Sequence, residues 1–368
     1  LRTSLGRVQM WDISGVRSVA WWQTPPGNGT HWGQWPKGVA SVELVGEDSY
    51  GLMLRIDDAY LARISPLLVG EDTSRLARYE PWSEALKDQS IVLPIGGWTA
   101  GGHDRVLLYP LFESSPPPTD LEGMNALAAS IGRLHGSMVA FETPNTERLW
   151  NDRLKAMEDE LKPRTLWRAP HTQATVGLPR LHLDLNHLAN SEGGPHWVAM
   201  PRSLADALVC QPERLPSLAS LMRFERQFAR RQPLDESHRK ALLESWSNAA
   251  PKAWSKGKAL STALGGAWVW RYNAVLEQLL HARTYGDADL EQDSLDWLGE
   301  VSRLQARLGT LRMWKSGFWV GLTGVIVAYV GNDWGTFTSM QSWLLAAGSI
   351  AFAGVTNRMY WAKDPLPY

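Results

Sequence analysis

The chain has 368 residues, with 37 Lys and Arg against 38 Asp and Glu and a formal net charge of −1. Near-neutrality removes the electrostatic case for a nucleic-acid partner. A single cysteine, Cys210, excludes an internal disulfide or a multi-cysteine metal site and fits a reducing compartment.

Residues 1–115 read as a β-rich unit. The runs VQMWDI, GVRSVAWW, GVASVELV and YGLMLRI are short, alternating or β-branched, and Gly and Pro separate them, notably over 24–38. Residues 74–87 carry a helical pattern. IVLPIGGW and DRVLLYPLFE follow as strands around a Gly-rich turn, and SSPPPTD at 114–120 is a stiff link. Of the 20 tryptophans, Trp11, Trp21, Trp22, Trp32 and Trp35 cluster here, as core and interface residues with no cofactor implied.

Residues 116–250 read as mostly helical. Asp120 caps a helix with Leu121, Met124, Leu127, Ala128, Ile131 and Leu134 on one face. Helices are expected over 145–161, 215–231 and 236–249, with a small strand–loop–strand between 181 and 200. Residues 251–312 form a helical extension with helices at 258–282 and 290–313. In the second, Trp297, Val301, Leu304, Leu308 and Leu311 fall at coiled-coil spacing, and it is expected to run straight into the next segment.

Residues 313–368 carry two apolar runs, 316–331 and 340–356, and a short tail. Between Ser316 and Asn357 the only charged side chain is Asp333. Two helices of this length, with Trp314, Trp343, Tyr360 and Trp361 at their ends, predict a transmembrane hairpin. Arg303, Arg307, Arg312 and Lys315 precede it, Arg358 and Lys363 follow it, and the link has no Lys or Arg. The positive-inside rule places the soluble part and the C-terminus on the cytoplasmic face of the inner membrane. Gly317, Gly321, Gly324 and Ala328 share one helical face, and Ala347, Ala351 and Gly354 another. Such stripes let helices approach closely, either each other or those of other membrane subunits.

The chemical candidate is the run Leu181-His182-Leu183-Asp184-Leu185-Asn186-His187-Leu188-Ala189-Asn190. It resembles the catalytic loop of kinase-like phosphotransferases of the aminoglycoside phosphotransferase and lipopolysaccharide core kinase group. Ile131–His135 is similar to the helix leading to that loop, 106–113 to the hinge strand, and 223–228 to part of the C-lobe. The fold class expected is therefore α+β: a two-lobed kinase-like cytoplasmic domain, followed by the two-helix transmembrane hairpin.

The resemblance implies that Asp184 orients or deprotonates an acceptor hydroxyl, while Asn and a second Asp hold magnesium and a strand Lys binds ATP phosphates. This chain departs from the pattern. Ala189 stands five residues after Asp184, with Asn190 one late. No Asp lies in 198–202, and Asp206 comes later. Arg55 stands at the expected strand-Lys position, with Glu80 or Glu84 as its helix partner. Gly27, Gly29 and Gly33 are the nearest candidates for a phosphate loop. The altered positions imply a pseudokinase acting as a scaffold or accessory subunit, with no certain cofactor and no metal site. The alternative is an active membrane-anchored kinase using ATP and magnesium on a lipid, sugar or small-molecule acceptor.

Overall fold

The computed structural model describes residues 2–363 apart from 4–5, 8, 25–28, 69–81, 102, 145–146, 167–175, 202–213 and 261–265. Most of the predicted helix over 74–87 lies outside the described residues; its end is helical at 82–86.

The first lobe is built on an antiparallel six-stranded sheet: β1 (Gly29–Gly33), β2 (Val42–Asp48), β3 (Gly51–Ile56), β4 (Tyr60–Ile64), β6 (Gly96–Ala100) and β7 (His103–Pro110), in the order β1-β6-β7-β4-β3-β2. Alternation along the strands splits the two faces. Leu52, Leu54, Ile56, Ala62, Ile64, Val106 and Leu108 face a tryptophan-rich layer. Leu61, Leu107 and Tyr109 point the other way, into the cleft between the lobes.

The run GVRSVAWW is not a strand. It forms a 3-10 turn and a short helix α1 (Val19–Gln23), because Ser18 caps α1 by accepting from the Trp21 N–H at 3.3 Å. Val16 and Trp22 are thereby buried on the sheet.

A four-stranded sheet floors the cleft, in the order β8 (Ser114–Ser115), β9 (Leu188–Ala189), β10 (His196–Val198) and β5 (Ile91–Val92). β9 and β10 are the predicted strand–loop–strand. The second lobe packs α2 (Leu121–Ser137), α3 (Glu147–Leu161), α4 (Ser217–Ala229), α5 (Glu236–Ala249) and α6 (Gly266–Tyr285) around one apolar core. Residues 251–312 are no separate extension: Trp270, Val275 and Leu276 of α6, with Val301 and Leu308 of the next helix, belong to that same core.

α2 and α4 meet at a buried polar contact, where His135 Nδ1 lies 2.5 Å from Ser217 Oγ and Trp246 Nε1 donates to the same hydroxyl at 3.2 Å. Burial pushes the His135 pKa down to about 4 from 6.5. The folded state thus resists a proton that the unfolded chain accepts. Stability is fully present above pH 6.5 and falls as pH drops toward 4, by up to about 3 kcal/mol from this group. A His135→Gln variant should lose that part of the pH dependence in urea melts between pH 7 and pH 4. An unchanged slope would refute the assignment.

α7 (Ala288–Asp333) runs unbroken for 46 residues from this core into the first apolar run, as its sequence predicts. α8 (Ser339–Lys363) turns back along it. A reciprocal cap starts α8: the Thr338 N–H donates to Gln341 Oε1 at 3.0 Å and the Gln341 N–H to Thr338 Oγ1 at 3.3 Å. At the opposite end the Lys363 ammonium lies over the Trp314 ring, 5.6 Å from its centroid.

The two small-residue stripes do not meet. A Cβ on Gly317, Gly321 or Gly324 would strike Thr356, Ala353 or Ser349, and Ala328 is buried. Ala347, Ala351 and Gly354 lie on the exposed side of α8, and nothing stands within 4 Å of a Cβ built on Gly354. The face of α8 that meets α7 uses Ser349, Ala353 and Thr356, two residues out of step with the predicted stripe.

Candidate functional site

Asp184 lies on the loop entering β9, buried at the mouth of a cleft of about 500 Å³. His182, two residues earlier, takes a left-handed backbone at φ +48, a conformation that a β-carbon disfavours and that the buried loop imposes. The Asp184 carboxylate closes a turn on itself: Oδ1 accepts from the Asn186 backbone N–H at 2.9 Å and from Asn186 Nδ2 at 3.0 Å. Gln227 of α4 holds the same loop by accepting from the Leu185 N–H at 3.1 Å. Burial alone would raise the Asp184 pKa. Arg223, His187, the Asn186 N–H and the Tyr50 hydroxyl outweigh it, and the carboxyl stays below its ordinary value.

The other oxygen, Oδ2, accepts from the Tyr50 hydroxyl at 2.8 Å. Tyr50 sits in the tight turn between β2 and β3. Gly51 at φ +105 makes that turn possible, since a Cβ there would meet the Ile64 carbonyl at 1.9 Å. Tyr285 at the end of α6 donates to the Ser49 carbonyl at 2.7 Å and fixes the tip. The turn therefore reaches across the cleft and lays a phenol on Asp184.

Arg63 of β4 is the basic residue under this turn, 2% exposed. Its Nη1 donates to both carboxylate oxygens of Asp48, at 2.9 and 2.8 Å, and to the Gly51 carbonyl at 3.3 Å. Arg55, expected in this role, sits near the open end of β3, half in solvent, 3.9 Å from Glu43 and 3.8 Å from Asp58. Arg63, one strand further on, was not marked by the sequence, because Tyr60–Ile64 carries no strong strand signal. The signal that marks that strand is Asp57-Asp58, both at positive φ, in the three-residue turn between Ile56 and Tyr60.

Of the proposed partners, Glu84 is exposed and Glu80 lies outside the described residues, as does Gly27. Gly29 and Gly33 are on edge strand β1, paired to β6 on the far side of the sheet from the Asp48–Gly51 turn. Asn190 is exposed, and its backbone N–H donates to the Glu113 carbonyl at 2.7 Å. Asn186 is the residue that joins Asp184. Ala189 is buried in the apolar layer with Val198 and Met200.

Between the lobes, Met53, Leu61, Arg63, Tyr109, Phe112 and Met200 enclose a space of only about 10 Å³, and the Tyr109 hydroxyl donates to the Ala199 carbonyl at 2.7 Å. Among the described residues, a magnesium site does not fit the side chains present. The position five after Asp184 is an alanine, residues 198–201 supply no carboxylate, and no cluster of three potential metal ligands exists among the described residues. Asp206 lies outside the described residues.

An antiparallel sheet with a buried basic residue in its central β4, a strand β7 leading by a short link to a helical lobe, and a His-x-Asp loop on the cleft floor together decide the architecture. The fold is kinase-like. No protein-family model and no curated protein matches the chain. Solved structures do. A glucosamine kinase in complex with glucosamine, ADP and inorganic phosphate aligns at 14% identity and TM-score 0.47, over 79% of this chain and 84% of that one. An ethanolamine kinase from Plasmodium vivax aligns at 10% identity and TM-score 0.40, over 71% and 80%. The GDP and kanamycin complex of APH(2")-IIia aligns at 13% identity and TM-score 0.38, over 72% and 94%. The likeness is one of architecture.

Proposed function

We propose that the chain is a membrane-anchored kinase-like protein that does not transfer phosphate and that serves as a scaffold or accessory subunit of a membrane protein complex. The observation that carries the silent site is the loss of both metal positions, Ala189 and the carboxylate-free stretch 198–201. Kinases place an Asn and an Asp there to hold magnesium against the phosphates, and most of the charge stabilisation of phosphoryl transfer depends on it. Two further features support the reading. The Arg63 guanidinium is held by Asp48, and the Tyr50 hydroxyl stands where an acceptor hydroxyl would meet Asp184.

Anchoring is supported by what α7 and α8 expose. α7 is long and apolar enough to cross a membrane by length and composition, and its apolar stretch is largely exposed. Among the described residues, roughly two-thirds of the exposed large apolar side chains lie beyond Arg312, including Trp319, Ile326, Trp343 and Ile350. Water would disfavour that surface, and lipid would not. The flanking cations Arg303, Arg307, Arg312, Lys315, Arg358 and Lys363 support a soluble part on the cytoplasmic side.

The test is a thermal melt of the full chain in mild detergent with millimolar ATP, with and without magnesium. No change in melting temperature is expected, and a magnesium-dependent rise would overturn the silent-site reading. Native purification should show the chain with other membrane subunits; a lone monomer would count against the scaffold role. The competing reading, an active kinase with Asp184 as base, is favoured by one feature, the ionised Asp184 carboxylate facing an open cleft. Phosphate transfer that vanishes in Asp184→Ala would establish it.

A further inference from the structure

We propose that the cleft beside Asp184 binds a small soluble anion carrying phosphate or carboxylate groups. Its volume of about 500 Å³ suits a small molecule. Its walls carry five arginines, from positions 153, 223, 226, 230 and 231, against three carboxylates, among the described residues.

The carboxylates are already committed. Asp48 is bound by Arg63, Asp184 by Tyr50 and Asn186, and Glu277 stands between Arg153 and Arg180, whose Nη2 lies 2.7 Å from it. The arginines retain donors. Arg226 donates through Nε to Gln278 and through Nη2 to Asp293, and Arg231 through one nitrogen to Asn186. Among the described residues, the only ion pair of Arg230 is the long one to Asp293, at 4.0 Å. A guanidinium carries five N–H donors in a planar fork, so these three keep donors for a planar or tetrahedral anion.

A helix end does explain some of this charge, since cations complement the negative end of α4. It does not explain Arg223, in the middle of α4, or Arg153, which enters from α3 and converges on the same space. Burial keeps His187 and His281 from charging readily at neutral pH, so the positive potential belongs to the arginines.

The choice of a soluble ligand over a lipid headgroup rests on the anchoring reading. Leu290 lines the cleft at the start of α7, and Lys315 marks where the apolar run begins. The 25 helical steps from one to the other rise about 38 Å. An upright α7 holds the cleft well clear of the headgroups.

Calorimetry on the full chain in detergent tests this with inorganic pyrophosphate and citrate as probes and glucose and glucosamine as neutral and cationic controls. The anions should bind at least tenfold more tightly than either control. The double variant Arg230→Gln/Arg231→Gln, both exposed positions, should weaken anion binding at least tenfold with an unchanged melting temperature. Controls that bind as well as the anions, or a double variant that binds as the parent does, overturn the proposal. Competition by phosphatidylglycerol vesicles would assign the cleft to a headgroup and overturn the soluble ligand. Magnesium-dependent ATP binding that survives in the double variant would instead overturn the silent-site reading and leave this one standing.

Discussion

Glu225→Ala is expected to lower the stability of the folded chain by about 3–5 kcal/mol, the range for breaking a buried ion pair from one side. Glu225 is 2% exposed at the inner face of α4. Its two oxygens take a forked pair of hydrogen bonds from Arg271 of α6, at 2.9 Å each, and Arg239 of α5 donates to one of them as well. Arg271 is 3% exposed. Truncating the glutamate therefore strands a guanidinium where water cannot reach it. Burial alone would raise the carboxyl pKa, but Arg271 and Arg239 overcome that and hold it below its ordinary value. The contribution is then fully present above pH 4.5 and is lost as pH falls through the lower folded value. A urea midpoint measured at pH 7 is the direct readout. Loss of less than about 1 kcal/mol would show that the guanidiniums find other partners. Replacing Glu225 and Arg271 together with methionine should recover much of the loss, since the desolvation of both charges disappears with them. The pair matters beyond stability because α4 and α6 also form two walls of the arginine-lined cleft.

The architecture was legible in the sequence wherever a pattern repeats. The 3.6-residue periodicity of α2 and the spacing of Val301, Leu304, Leu308 and Leu311 in α7 translate directly into buried faces, because burial is what those patterns encode. α5 falls on the residues expected, 236–249, with Asp235 capping it at 2.8 Å through the His238 N–H. Failures came where one residue decides. Ser18 turned an apolar β-like run into a helix by offering a cap. Arg63 was missed because the strand that carries it is five residues long and announced only by the turn before it. Tyr50 was missed altogether: its contact with Asp184 joins positions 134 residues apart, and no local pattern encodes such a pairing. Asp184 itself stood out through its His-x-Asp setting. What surrounds it, including Arg223, Arg226 and Arg231, emerges only when α4 is laid against the loop.

The α7–α8 contact yields a contrast that packing alone decides. Gly321→Leu should separate the two helices, whereas Gly354→Leu should leave them together. At Gly321 an added Cβ lies 2.8 Å from the Ala353 Cβ and 2.8 Å from the Ser349 carbonyl oxygen. Backbone cannot swing aside as a long side chain can, so the helix axes must move apart along much of their contact. Overpacking of this kind costs about 1–3 kcal/mol even where a core adapts, and leucine adds three more carbons to the clash. On the proposed membrane-anchored reading, close approach of small residues would also hold the two helices together in lipid, where no hydrophobic gain opposes separation. At Gly354 an added Cβ meets nothing within 4 Å, and leucine there joins an already apolar outer surface. The measurement is disulfide trapping between cysteines introduced at Gly317 and Thr356, a pair whose side-chain positions are in contact. Cys210 is first replaced by serine. Trapping should persist in the Gly354→Leu background and fall several-fold in the Gly321→Leu background. The reverse result would place the interface on Ala347, Ala351 and Gly354, as the spacing of small residues in the sequence alone had implied. Equal trapping in both would mean that the hairpin tolerates bulk at its centre, and that the glycines of α7 serve something other than its contact with α8.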